Sequence, residues 1–100
     1  MAETTFNVHV TGTSSSSSFE QLNISATDLE STDSFSQEVL SAILLNDGDD
    51  SVHVNFDALA TVSHFKLTPK SWLSLDLNLT DVHTICAAGE TATVYAIGIY

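Results

Sequence analysis

Three side chains that could bind a metal or move a proton, those of His53, Asn55 and Asp57, alternate along one short segment. In a β-strand such residues share a face and lie roughly 6.5–7 Å apart, because the rise is about 3.3 Å per residue. With help from His64 or Asp50, this row could mount a metal site. Apolar residues occupy the alternate positions, however, so the row also fits the solvated face of a half-buried strand. We favour the solvated face, since no neighbouring strand offers an identifiable further ligand, and we predict no metal.

The acidic run that follows Asn46 is rich in the oxygen ligands that calcium prefers. An EF-hand loop beginning at Asp47 would need Gly at its sixth position and Glu at its twelfth, where this chain has Val52 and Ala58. We therefore expect no calcium site. Residues 46–50 instead predict a tight hairpin turn between two strands.

Cys86 is the single cysteine, so the chain has no internal disulfide. No cation lies near it in sequence to lower its pKa, and we expect a buried, inert thiol. The sequence has no nucleophile elbow, zincin motif or glycine-rich phosphate loop. We therefore predict that the protein is not an enzyme and uses no cofactor. An enzyme that uses His53, His64 and Asp57 remains the alternative.

Alternating apolar and polar side chains are the main structural signal. A short helix capped near Ser34 competes with a strand in residues 37–45, but the strand is favoured. Residues 27–36 are expected to be a polar connection, and Pro69 suits the second position of a type I turn. Leu73, Leu75 and Leu77 are expected to line the core. The predicted strands cover about residues 6–11, 22–26, 39–45, 52–57, 64–67, 72–79, 81–87 and 91–100.

Composition narrows the class of protein. The chain has 100 residues, 43% of them hydrophobic, which suits one domain with one core. Its 13 Asp and Glu against 2 Lys and Arg give a net charge of −11. This excess excludes a nucleic-acid backbone binder, which needs cations, and an electrostatic anchor on anionic lipid. No apolar run approaches the roughly 20 residues that span a bilayer, and the first residues do not predict a secretion signal.

These observations predict an all-β fold, a small antiparallel β-sandwich of jelly-roll or Ig-like type with about seven or eight short strands. Residues 1–100 are expected to form a single domain. Its N-terminal segment, about residues 1–12, is expected to be extended and to pair with free strand edges.

The order of strands and turns after Val39 carries a family resemblance. The pieces are Leu45-Asn46-Asp47-Gly48, Val52 to Asp57, Phe65 to Lys70, Leu73-Leu75-Leu77, Val82 to Thr91 and Thr93 to Gly98. This order resembles small β-sandwich virion proteins of tailed bacteriophages, namely capsid decoration (cement) and head-fibre proteins. The resemblance covers about six-tenths of the chain. Those proteins usually have Pro-Gly where this chain has Pro69-Lys70, and residues 1–38 have no counterpart.

The resemblance implies a non-enzymatic structural protein on the outside of a virion, bound to the major capsid protein and often trimeric. We expect the subunit interface to use the acid-poor stretches 58–72 and 91–100 and to involve neither nucleic acid nor membrane. A carbohydrate-binding or adhesion module, with aromatic rings stacking on sugars, is the alternative. The candidate contact residues are Phe6, Val8, Val10, Phe65, Trp72, Tyr95 and Tyr100.

Overall fold

The computed structural model describes residues 18–100, and the predicted strand at 6–11, with Phe6, Val8 and Val10, lies outside them. The described residues form eight strands and contain no helix that could cross a membrane. The strands are β1 (Phe19–Ala26), β2 (Ser31–Val39), β3 (Ser41–Asn46), β4 (Val52–Phe56), β5 (Phe65–Leu67), β6 (Trp72–Leu75), β7 (Leu79–Ile85) and β8 (Ala92–Ile99).

The strands form two antiparallel sheets of four. The first sheet has the order β1-β8-β3-β6, and the second sheet has the order β2-β7-β4-β5. Strand β1 pairs with β8, β2 with β7, β3 with β6 and β4 with β5, as in one long hairpin folded over itself. This pairing is the jelly roll, whereas Ig-like sandwiches divide their strands differently. The predicted β-sandwich is therefore confirmed, and the strand order selects the first of its two expected types.

The core lies between the sheets and is built from alternate residues of each strand. Ile24 and Leu44 of the first sheet and Val54 and Val82 of the second sheet are buried there. Gly98 lies on the inner side of β8, where a Cβ would come within 2.6 Å of the Val39 side chain and 2.9 Å of the Phe35 ring. The missing side chain therefore lets β2 pack closely against β8.

The prediction that residues 27–36 are a polar connection is wrong, because β2 begins at Ser31. Among the described strands, β2 lies at the edge of its sheet, and much of it is exposed. Only Phe35 and Val39 are fully buried within it. An edge strand needs few apolar residues, so its sequence looks like a loop.

Residues 39–45 contain strand, as favoured, and the helix alternative is wrong. The strand is interrupted, because β2 ends at Val39 and β3 begins at Ser41. The predicted hairpin at 46–50 is also wrong, since β3 and β4 lie in different sheets. The turn crosses the sandwich instead, and Gly48 is needed there because a Cβ would come within 2.8 Å of the Ala92 backbone.

The predicted strand at 72–79 is two strands. Leu73 and Leu75 of β6 are partly buried against the core. Leu77 lies in the connection and is 43% exposed, so its predicted core position is wrong. Leu79 opens β7 in the other sheet and is fully buried. The alternation of apolar and polar residues continues from β6 into β7, although the chain changes sheet between them. The sequence pattern therefore gives no sign of that change.

The turn around Pro69 differs from the expected type. The Ser71 N–H donates to the Thr68 carbonyl at 3.2 Å, which closes the four-residue turn. Lys70, the third residue, has φ of 63°. A positive φ at that position belongs to a type II turn and excludes type I. The remaining predicted strands within residues 18–100 lie within three residues of their expected ends.

Candidate interaction surface

The outer face of the first sheet is formed by odd-numbered residues of β1, β3 and β8 and by even-numbered residues of β6. Successive side chains of a strand alternate between faces, and the buried residues Ile24, Leu44 and Val94 mark the inner side. The cross-strand registers align the four strands in rows. The outward residues are Phe19, Gln21, Asn23, Ser25, Ser41, Ile43, Leu45, Trp72, Ser74, Thr93, Tyr95, Ile97 and Ile99.

None of the outward residues that the structure describes in this sheet is charged, although the chain carries a net −11. We call this surface the charge-free face. One of its rows joins Tyr95, Leu45 and Trp72. Phe19 and Trp72, which are 59% and 53% exposed, mark opposite corners. Seven of the thirteen outward residues are apolar or aromatic. Antiparallel sheets usually turn a polar side to water, so an uncharged outer face with this apolar content indicates an interaction site.

The size of the charge-free face limits what it can bind alone. Four strands spaced about 4.8 Å apart, with about six residues at 3.4 Å each, cover roughly 400 Å² in projection. A standard protein interface buries about 800 Å² on each partner. The charge-free face therefore supplies about half of such an interface. Its aromatic residues and lack of charge match the composition of interface cores.

The outer face of the second sheet is polar and is crossed by the chain itself. His83 Nδ1 lies 2.8 Å from Glu30 Oε2 and 3.0 Å from Thr32 Oγ1. The same Glu30 oxygen accepts the Ala60 N–H at 3.1 Å. This bond ties the β4–β5 connection, residues 57–64, across the sheet. Among residues 18–100, the second sheet is therefore partly covered on its outer side, whereas the charge-free face is not.

The histidines suggested as ligands hold this connection in place. His53 Nδ1 donates to the His64 carbonyl at 3.0 Å, and His64 Nδ1 accepts the Thr61 N–H at 2.9 Å. Asn55 Nδ2 donates to the Leu59 carbonyl at 3.0 Å. Within residues 18–100, no three His, Cys, Asp or Glu side chains are arranged to hold a metal ion. Two members of the row identified in the sequence, His53 and Asn55, thus come together with His64, but in a structural network.

Two further features bear on enzymatic chemistry. The carboxylate and the hydroxyl beside His83 approach the same ring nitrogen, whereas a nucleophile relay needs them at opposite nitrogens. Asp57, which has φ of 58°, accepts the N–H groups of Thr80 and Asp81 at 3.0 and 2.8 Å. Its carboxylate therefore anchors the start of β7, a structural role.

An open cleft of about 520 Å³ lies at one end of the sandwich, between the β1–β2, β3–β4 and β7–β8 connections. Its acidic surroundings brace these connections. Asp50 accepts the Thr91 N–H at 3.1 Å, and Asp28 accepts the Gly89 N–H at 2.9 Å. Burial raises the pKa of the nearby Cys86 thiol to about 11, with Asp50, Glu90 and Asp28 adding to the shift. The predicted buried thiol is confirmed.

The structure brings together only part of the predicted contact set. Trp72 and Tyr95 lie in one row of the charge-free face. Phe65 is exposed at the start of β5 in the other sheet, and Tyr100 packs against the core. The expected free edge in residues 91–100 is wrong, because β8 is paired on both sides.

Sequence reasoning expected the stretch 91–100 at an interface but missed Ile43 and Leu45 of the charge-free face. The signal for that expectation was the absence of charge in 91–100, whose outward residues are as apolar as its inward ones. Ile43 and Leu45 join Ile97 and Tyr95 only through the sheet register. No family model, curated protein or solved structure matches the chain.

Proposed function

We propose that this chain is a non-enzymatic virion protein that decorates the exterior of a capsid and binds the major capsid protein through the charge-free face. The main observation that supports this proposal is that the described acidic residues lie away from one face of the first sheet. The described residues hold most of the acids of a chain of net charge −11, yet they leave one complete sheet face without any. Burying such a face against a partner costs little desolvation free energy. Burying the carboxylates found elsewhere would cost several kcal/mol per ion.

Two further arguments support this proposal. The jelly roll recurs in viral capsid proteins, although it also occurs in lectins and cupins, so the fold alone does not select a function. A net charge of −11 is repelled by packaged nucleic acid, which favours a position outside the capsid with the acidic surfaces toward solvent.

A carbohydrate-binding module is the second candidate. It is favoured by the row in which the exposed Trp72 lies near Tyr95, with Leu45 between them. Aromatic faces of this kind are suited to stacking on sugar rings. A glycan array of the purified chain separates the two functions. Saturable glycan binding that is lost in Trp72→Ala would favour this candidate over capsid decoration.

Particles purified on a density gradient from the native source test the main proposal. The chain is expected to co-sediment with them in a fixed ratio to the capsid protein. Absence from washed particles would refute the proposal.

Rebinding of purified chain to stripped particles then locates the contact. A Gln21→Glu, Ser74→Asp double variant places charge on the charge-free face without removing an apolar side chain. A Gln37→Glu, Asn78→Asp double variant is the matched control, because it adds the same two charges at exposed positions away from the charge-free face. We expect the double variant to bind at least about tenfold more weakly, equivalent to about 1.4 kcal/mol, and the control to bind normally. Equal binding of both would exclude this face as the contact.

A further inference from the structure

Strand β1 is the least protected edge among the described strands. Its one inward charge, that of Glu20, is already held by Ser36 of the same chain. The strand has eight residues and pairs with β8 in unbroken register. It contains neither lysine nor proline. The other edges among the described strands are blunted: β5 and β6 are only three and four residues long, and β2 has an irregularity between Ser34 and Val39. Asp33 of β2 also lies opposite the buried Val82, on the inner side. Short length, bulges and inward charges are the devices that keep edges from pairing.

The ladder between β1 and β8 identifies the backbone groups that β1 presents at this edge. Ser18 and Tyr100 exchange two hydrogen bonds of 2.8 Å, so they form a hydrogen-bonded pair. Such pairs alternate along an antiparallel ladder. The even-numbered residues therefore bond to β8. The N–H and C=O groups of Phe19, Gln21, Asn23 and Ser25 point away from it.

We propose that β1 pairs antiparallel with β1 of a second copy, about a two-fold axis at Leu22. Leu22 is the midpoint of the β8-paired segment 18–26, so this register gives the greatest overlap. Gln21 then lies opposite Asn23 of the second copy, and Phe19 opposite Ser25. All the outward-pointing backbone groups of these residues find partners.

Charge and self-complementarity favour a second copy of this chain as the partner at the β1 edge. Glu20 is the only charged residue of β1, and in this register it faces Ile24 of the second copy rather than another acid. Its carboxylate already accepts the N–H and hydroxyl of Ser36 at 2.9 and 2.8 Å. One self-complementary strand suits a two-fold contact, whereas a trimer needs two different patches on each copy. The geometry therefore points to a dimer rather than the trimer implied by the family resemblance.

The pairing also enlarges the charge-free face. Two first sheets joined at β1 form one continuous sheet of eight strands. Its outer side covers roughly 800 Å² in projection, the area that one partner contributes to a standard interface. That consequence rests on the proposed function. The pairing itself does not, because it is measured on the isolated chain.

Sedimentation equilibrium of the full chain tests the pairing, and we expect the mass of two chains. Asn23→Pro removes an edge-facing N–H but no bond to β8, a position where an edge strand tolerates proline. Asn23→Thr is the matched control because it keeps that N–H. We expect the proline variant to raise the dimer dissociation constant at least tenfold with unchanged far-UV circular dichroism, and the threonine variant to remain dimeric.

Cysteine pairing tests the register independently of the proline variant. Oxidation of an equimolar mixture of Gln21→Cys and Asn23→Cys should give a disulfide-linked heterodimer, because these positions lie about 5.5 Å apart between Cα atoms. Neither variant alone should cross-link, and the buried Cys86 does not compete. A monomer, a mass of three chains or cross-linking that ignores the register would overturn the proposal. So would a chain that dimerises only after deletion of residues 1–17, since its own N-terminal segment would then occupy the edge.

Discussion

Asn46 is a fully buried polar residue, and its replacement tests how the acidic end of the sandwich is held together. Its Nδ2 donates to the carbonyls of Asp50 and Leu67, both at 2.9 Å. Its Oδ1 accepts the Gly48 N–H at 2.9 Å. One amide therefore joins the end of β3 to the crossing turn and to β5. Two acceptors on one side and a donor on the other fix its orientation.

Asn46→Ala leaves these three backbone groups without a partner. An unsatisfied buried group costs about 1–3 kcal/mol, and water can reach the two groups in the turn. We expect a loss of about 2–4 kcal/mol, a large part of the 5–15 kcal/mol typical of a domain.

Asn46→Asp keeps the shape but turns a carboxylate oxygen toward two carbonyls. Its folded-state pKa should rise above the unfolded value of about 3.9, so folding favours the protonated form. The stability of this variant should therefore fall relative to the native chain as pH rises from the unfolded toward the folded pKa.

Urea unfolding followed by Trp72 fluorescence measures both effects, with the native chain at each pH as reference. The difference in unfolding free energy between Asn46→Asp and the native chain should shrink as pH is lowered from 8 to 4, because the change lies between the unfolded pKa of about 3.9 and the raised folded pKa. A constant difference, or a loss below about 0.5 kcal/mol for Asn46→Ala, would refute the reasoning about this buried amide.

Three further predictions concern single residues. Asp57→Ala should cost about 1 kcal/mol in chemical denaturation, more than an ordinary surface change, because two backbone N–H groups lose their acceptor; an indistinguishable midpoint would contradict this. Gly98→Ala should lower the free energy of unfolding by about 1–3 kcal/mol, because the added methyl group overpacks the core against Phe35. An unchanged melting temperature would contradict this, since the core would then accommodate the methyl group without cost. The Cys86 thiol, whose pKa is raised to about 11, should resist alkylation at pH 8 until the chain unfolds. Its contribution to stability should be complete below the unfolded pKa and fall as pH rises toward about 11, and rapid labelling of the folded chain would contradict its burial.

The sequence by itself determined the class of fold. Alternation located β1, β4 and β8, because a strand with one buried side must repeat every second residue. It also placed Cys86 in the interior, since an uncharged stretch around a small apolar side chain is easily buried. Edge strand β2 was missed because few of its residues need to be apolar.

Tertiary structure alone decided which strands pair and which apolar side faces outward. A tight turn specifies how the chain reverses but not which sheet it enters. The local sequence therefore could not show that β3 and β4 lie in different sheets. The residues of β8 are apolar on both sides, so their periodicity does not tell the inner from the outer side. The charge-free face exists because the register aligns Ile97 and Tyr95 with Ile43 and Leu45, residues at least fifty positions away in the chain.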